Sequence, residues 1–358
     1  MDLINYFTNK IRGKTFFITG DTGFKGNWMT HFILNFGGEV YGYSNEQKFR
    51  EYFPFISEND KYSSFENDIR DIHSLKLNLE SSNPDYFIHM AAQPLVQESY
   101  KDPYETYTVN FMGTLNVLEL LRDFKSIRSA LIITTDKVYR NDEIKDYRYK
   151  EDDVIFGKDP YSNSKSICEL VYKTYNDCFF TEKNINVSSV RSGNVFGGGD
   201  FSNDRILPDC FRAASNNASI KLRNPYSTRP YQHVLDPIIA YLMLLFEQES
   251  DNKKCGAFNV GPDKGADNVP NIDLVSIFSK KWGLDDKKFI EEFSPINYKK
   301  EATFLSLDNS KIKNMINWRP LISLDFGIEL TVEWYKTYLQ KGDIKNLMTE
   351  QIIKALSK

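Results

Sequence analysis

Cysteine and histidine are scarce in this chain, with four of each in 358 residues. Cys168, Cys178, Cys210 and Cys255 follow no zinc-ligand spacing, which leaves reduced, structural thiols and an expected cytoplasmic location. Among His31, His73, His89 and His233 no pair has metal-site spacing, so no metal is expected. A large charge excess is also missing. The net charge of -4 gives no electrostatic reason to expect nucleic acid or an anionic membrane as partner. The longest apolar run, Ile238 to Phe246, is too short to span a bilayer. The stretch from Met1 to Arg12 is short, mixed and polar, unlike a signal peptide. There is no internal repeat and no low-complexity tract.

What remains is an ordinary soluble composition, 41% hydrophobic, with length for one large core or two joined domains. The first half alternates strand and helix signals. Thr15–Thr19, Glu39–Tyr43, Tyr86–His89, Ala130–Thr134 and Asn186–Arg191 read as strands. Helical patterns fill Trp28 to Phe36, Tyr104 to Phe124 and Tyr161 to Phe180, and Gly37-Gly38 stops the first of these. This order predicts an α/β fold, a doubly wound parallel Rossmann sheet. After Arg191 the rhythm breaks into loops and short helices. Asp204 to Ala214 and Val234 to Glu247 read as helices, Ala257–Gly261 as a strand, and the chain is expected to close with an amphipathic helix, Phe326–Leu339. The expected division is residues 1–190 as the dinucleotide-binding domain, with 234–262 returning to it. Residues 191–233 and 263–358 then form a smaller α/β substrate domain.

Gly20-x-x-Gly23-x-x-Gly26 follows a strand and opens a helix. Glycine permits the tight turn, and the helix N-terminus offers N–H groups to a pyrophosphate. Asp21 inside the turn is unhelpful to a phosphate, and Lys25 either offsets it or is solvated. The second strand ends Tyr43-Ser44-Asn45, without the acid that usually receives the NAD ribose; Lys48 and Arg50 follow, so these residues alone do not separate NAD from NADP. In Asp68-Ile69-Arg70-Asp71 the acids either receive adenine or cap a helix.

Thr135-Asp136-Lys137 stands at the C-terminal end of an apolar strand, where open α/β sheets keep their active sites. A little downstream, Tyr161 and Lys165 are four residues apart and share a helix face. An ammonium beside a phenol favours the phenolate, a general base for a substrate hydroxyl.

Together these residues, with Ala91-Ala92-Gln93 and Asn110, resemble the extended short-chain dehydrogenase/reductase family of nucleotide-sugar enzymes. Gly23-Phe24-Lys25-Gly26, Thr135-Asp136-Lys137, Arg191 to Asp200 and Arg229 to Val234 are similar to its CDP-glucose 4,6-dehydratase branch. The resemblance implies tightly bound NAD, held by Gly20, Gly23, Phe24, Gly26, Asp68, Ile69, Ala91, Ala92, Tyr161 and Lys165. It implies CDP-glucose as substrate, met by Gln93, Asn194, Arg205 and Arg229, with Tyr298 and Glu301 bordering the nucleotide. Tyr161 would take the sugar 4-OH proton, Thr135 would bond the 4-oxygen, and Lys165 would hold the nicotinamide ribose and tune Tyr161. Asp136 would protonate the departing 6-OH, which requires burial to keep it protonated. Lys137 stands where the wider group has a glutamate as the C5 base, a role open to lysine only when desolvation or a nearby cation keeps it neutral. Asp21 stands where the branch commonly has histidine. The helices Tyr104–Phe124 and Tyr161–Phe180 would form a four-helix dimer interface, giving a homodimer or homotetramer. Another nucleotide-sugar 4,6-dehydratase or 4-epimerase on this scaffold, and a catalytically idle nucleotide-binding regulator, are the alternatives.

Overall fold

Seven strands, all paired in parallel, make the central sheet of the protein, seen in a computed structural model that describes residues 2–46, 49–183, 185–222, 224–292 and 303–358. They are β1 (Thr15–Thr19), β2 (Glu39–Ser44), β3 (Tyr62–Glu66), β4 (Tyr86–His89), β5 (Ser129–Thr135), β6 (Val187–Ser192) and β7 (Ala257–Val260). Across the sheet they run β7-β6-β5-β4-β1-β2-β3. The winding therefore reverses between β1 and β4, and the crevice beyond their C-terminal ends is where such sheets bind ligands.

Alternate strand residues supply two cores, because successive side chains point to opposite faces. Phe16, Ile18, Ile88, Leu131 and Ile133 pack on one side with Trp28, Phe32 and Ile33 and with the helix Leu235–Ser250. Phe17, Phe87, Ala130 and Ile132 pack on the other with Leu75, Leu79, Val117, Leu121 and Tyr172. Every residue of β5 is buried, as a strand covered on both faces must be. In helix Leu235–Ser250 apolar residues run around the whole circumference, and it is buried from Leu235 through Phe246. Each such large apolar side chain contributes about 1.5–3 kcal/mol. Its Gln248 bonds Ser129 Oγ and Ala130 O and accepts from Ser188, which ties it across β5 and β6.

Several boundaries differ from the sequence reading. The helix expected over Tyr104–Phe124 begins at Pro103, passes through a π-helical turn at Thr108–Met112 and ends at Leu121. That expected over Tyr161–Phe180 begins at Pro160, where Asp159 caps it by accepting from Ser162 N at 2.9 Å, and finishes in a π-turn. Two helices near the ends of the chain were not foreseen. Leu3–Ile11 is capped by Asp2 and buries Phe7 and Ile11. Ile344–Leu356, capped by Asp343, follows the helix expected to be last and packs against Leu3–Ile11 and Phe24–Asn35. No described helix is long and apolar enough to cross a membrane. No described group of histidine, cysteine, aspartate or glutamate is arranged to hold a metal.

Candidate active site

A cavity of about 770 Å³ opens over the C-terminal ends of β1, β4, β5 and β6. Every residue named above for catalysis, cofactor or sugar lines it, except Asp136 and those outside the described residues, Tyr298 and Glu301. Lys48 is also outside them.

The glycine turn forms one wall. Gly20 has φ +74°, and a Cβ there would come within 2.7 Å of Ala91 N. A Cβ on Gly26 would meet Gly20 O at 2.2 Å, so the helix Phe24–Asn35 can approach the turn this closely only with glycine. No side chain caps this helix at Gly23. Its first-turn N–H groups are thus available to an anion in the cavity.

Asp21 turns away from that wall. It is fully buried and accepts from Arg50 Nη2 at 2.7 Å, Ser44 Oγ at 2.8 Å and Tyr62 O–H at 2.5 Å. Lys25 does not pair with it and stands half-buried in the cavity wall. Its amine lies 5.8 Å from the centre of the Tyr241 ring, and burial with Arg205 and Lys165 nearby pulls its pKa down to about 7. Arg50 stacks on the Tyr62 ring at 4.6 Å and is committed to Asp21. Asp68 is held by Arg70 at 2.5–3.0 Å, which keeps its carboxyl below the usual range, and the cap of helix Ile72–Ser82 is Asp71 instead.

Opposite lies the reacting centre. Thr135, at the end of β5, donates to Asp136 Oδ1 at 3.0 Å and lines the cavity together with Tyr161. Asp136 is 1% exposed at its side chain, and its Oδ2 has no hydrogen-bond partner. A buried carboxyl oxygen is costly in that state unless a proton or a ligand meets it. Lys137 Nζ lies 3.7 Å from Asp136 Oδ1 and 3.3 Å from Asn194 Oδ1. Its charged neighbour is thus an anion, and the nearby cation that a lysine base calls for is found at Lys25 instead.

The Tyr161–Lys165 pair corrects the sequence reading. Burial pushes the Tyr161 phenol up to about 12, opposed by the Thr135 hydroxyl and by Arg205 rather than by Lys165. Lys165 is itself lowered by burial and points to Ile133 O at 3.4 Å on β5. Sharing a helix face places both over the cavity without bringing the amine onto the phenol.

Beneath this floor a buried ion pair joins β5, β6 and the helix Pro160–Tyr175. Arg191 Nη2 lies 2.7 Å from Glu169 Oε2, with side chains 4% and 0% exposed. Glu169 also accepts from Ser189 at 2.9 Å and from Thr134, and Arg191 donates to Tyr139 O–H at 2.7 Å. Asn110 pins the loop after β4: its side chain bonds Gln93 N at 2.8 Å, Gln93 O at 3.1 Å and Ser164 Oγ at 2.9 Å. The Gln93 side chain is engaged with Leu95 in its own loop and with Thr106 on the helix Pro103–Tyr107. Cys168 is a small buried residue, as expected, and His233 accepts from Leu235 N at 3.4 Å at the start of its helix. Arg205 pairs with Asp200 at 3.2 Å, and Arg229 donates to Thr228 O at 2.8 Å. Sequence reasoning missed the partners of Asp21 and the setting of Lys25. The signal for Lys25 was its place one residue inside the helix after the turn.

The sequence matches the family described as GDP-mannose 4,6 dehydratase over residues 17–331. It is 37% identical to a CDP-glucose 4,6-dehydratase of Salmonella typhimurium, covering 93% of each chain. It is 24% identical to a UDP-glucuronate 4-epimerase of Thermodesulfobacterium geofontis, over 91% of this chain and 97% of that one. The fold matches dTDP-glucose 4,6-dehydratase of Bacillus anthracis, solved in complex with NAD, at a TM-score of 0.78 and 20% identity, covering 94% of this chain and all of that one. With its sheet order, and with its glycine turn, Thr135, Lys137, Tyr161 and Lys165 gathered on one cavity, the chain belongs to the GDP-mannose 4,6-dehydratase family.

Proposed function

We propose that this enzyme dehydrates CDP-D-glucose to CDP-4-keto-6-deoxy-D-glucose, using tightly bound NAD+. The observation that carries this reading is the meeting of Thr135, Lys137 and Tyr161 at one end of a cavity whose other end is a glycine turn, with Asp136 buried directly behind Thr135 and Lys137. The 37% identity to a CDP-glucose 4,6-dehydratase over nearly the whole chain supports the nucleotide. The uncapped helix N-terminus at Gly23 fits a pyrophosphate, and Arg50, spent on Asp21, supports NAD over NADP. Gly20, Gly23, Phe24, Gly26, Asp68, Ile69, Ala91 and Ala92 would hold the cofactor, with Tyr161 and Lys165 at its nicotinamide end. Residues 1–190 with 234–262 would carry it, and 191–233 with 263–358 the nucleotide sugar.

Bound NAD+ supplies a hydride acceptor and later donor, so the reaction has no net redox change. Tyr161 takes the 4-OH proton, and Thr135, on the same cavity, bonds the 4-oxygen. The resulting 4-keto group acidifies the C5–H. Asp136 and Lys137 then act as a pair. One proton passed from the Lys137 amine to the Asp136 carboxylate would supply both the acid and the base that the step needs, with no change in the number of protons the pair holds. After that transfer Asp136 gives its proton to the departing 6-OH and Lys137 takes the C5 proton, which leaves an ion pair 3.7 Å apart. Asn194 positions the Lys137 amine, and Arg205 and Arg229 would meet the diphosphate. A 4-epimerase needs neither member of this pair.

Met112 and Leu170 are exposed on the two helices expected at a dimer interface, which supports a homodimer or a dimer of such dimers. Four free cysteines support a cytoplasmic location. The test is to give the purified enzyme CDP-, dTDP-, UDP- and GDP-glucose and read product masses. Loss of one water from CDP-glucose alone is expected. No mass change with any of them, at any added NAD level, overturns the reading.

A further inference from the structure

Lys25 is a half-buried, cavity-lining amine that the proposed chemistry does not use. It is the second residue of helix Phe24–Asn35 and lines the cavity between the glycine turn and the reacting centre. Its surroundings come from four other elements. Lys165 faces it from the helix Pro160–Tyr175, Asp136 from the end of β5, Arg205 from the start of helix Ile206–Ser215, and the Tyr241 ring from helix Leu235–Ser250. The Tyr241 hydroxyl is engaged with Ser192 and senses Tyr161. Arg205 is paired with Asp200. Lys25 itself has no ion-pair partner among the described residues, so two cations and one carboxylate set its charge.

We propose that Lys25 is a charge-compensating proton site for the nicotinamide, taking up a solvent proton when the bound cofactor is reduced and releasing it when the cofactor is oxidised. This rests on the NAD reading above. The oxidised ring carries one positive charge and the reduced ring none. A third cation is therefore tolerated beside Lys165 and Arg205 only in the reduced state, since like charges in a desolvated site disfavour one another. A site that exchanges a proton with the cofactor's charge must have an amine poised between its two forms near neutral pH. Burial first, then Arg205 and Lys165, bring Lys25 to about 7, with Asp136 acting the other way. Linkage makes the effect reciprocal: a protonated Lys25 favours the reduced cofactor by the same factor. The residue would thus help the sugar give up its hydride and let it return once the proton leaves.

The test measures binding. NADH fluorescence, competed by NAD+, gives the ratio of the two affinities in the purified enzyme from about pH 6 to about pH 9. The expected result is a preference for NADH that weakens as pH rises through about 7, by a factor on the order of 5- to 150-fold. Lys25→Met should flatten the profile at the low-preference end, and Lys25→Arg, a fixed cation, at the high-preference end. A wild-type slope that persists in either variant, or a flat wild-type profile, overturns the inference and leaves the NAD reading standing. Binding of neither cofactor overturns both. Should Lys25→Met fail to fold, seen by circular dichroism, Lys25→Arg against wild type decides on the same criterion.

Discussion

The Lys137 amine lies 3.7 Å from one carboxylate oxygen of Asp136, whose other oxygen has no hydrogen-bond partner. In the proposed reaction this acid and this base would act on adjacent sugar carbons, and the amide isostere separates their roles. Asp136→Asn should lower kcat by about 10²–10⁴-fold, the usual contribution of a positioned general acid. Substrate should still reduce the cofactor in a single turnover, because that step precedes loss of the 6-OH. Stopped-flow absorbance of the reduced nicotinamide reads the first step and product mass the second. Full turnover by Asp136→Asn would take the acid role from this residue.

Lys137→Ala addresses the other half of the pair. In deuterated water the wild-type product should carry deuterium at C5, and the variant should lose that incorporation along with turnover. Unchanged exchange at C5, read by proton NMR, would place the base elsewhere in the cavity.

Glu169 and Arg191 make a different kind of claim, about what holds the floor. Arg191→Ala leaves a carboxylate buried without its partner, and breaking such a pair costs about 3–5 kcal/mol. Urea denaturation should show that loss. Replacing both, Glu169→Leu with Arg191→Met, should recover much of it, because an apolar pair of similar volume needs no compensation. A cost below about 1 kcal/mol for Arg191→Ala would mean that the pair contributes little to joining β5 and β6.

Three histidines are buried neutral. Burial lowers His31 to about 4 and His89 and His233 to about 3. Below the unfolded value of about 6.5 the unfolded chain binds protons that the folded chain refuses. Their contribution is therefore fully present above about pH 6.5 and is lost as pH falls from there toward about 3. Each group supplies at most about 1.4 kcal/mol per pH unit in that window. Denaturation midpoints should be level above neutrality and fall steeply on acidification. His89→Gln should reduce the steepness, and a midpoint that holds steady down to about pH 5 would contradict the burial of all three.

The sheet, and the residues that meet on the cavity, were legible because each rests on local periodicity or fixed spacing. The apolar run of β5, the glycine turn and the four-residue Tyr161–Lys165 interval are such cases. What was not legible depends on partners distant in sequence. Asp21 meets Arg50 and Tyr62 across 29 and 41 residues, which no local pattern reveals. The Tyr161 environment was misjudged because spacing gives a shared helix face but neither the depth of burial, which raises the phenol, nor the direction of the Lys165 amine, which bonds Ile133 O instead. The helix Ile344–Leu356 went unread because its apolar residues, Leu347, Met348 and Ile352, are embedded among polar ones.

The central claim is a dehydration driven by a hydride that leaves C4 and returns within the same sugar. CDP-glucose deuterated at C4 tests it most directly. The expected product has lost one water and carries the deuterium at C6, with no net accumulation of reduced cofactor. Deuterium retained at C4, or delivered to free NAD in solution, would contradict it.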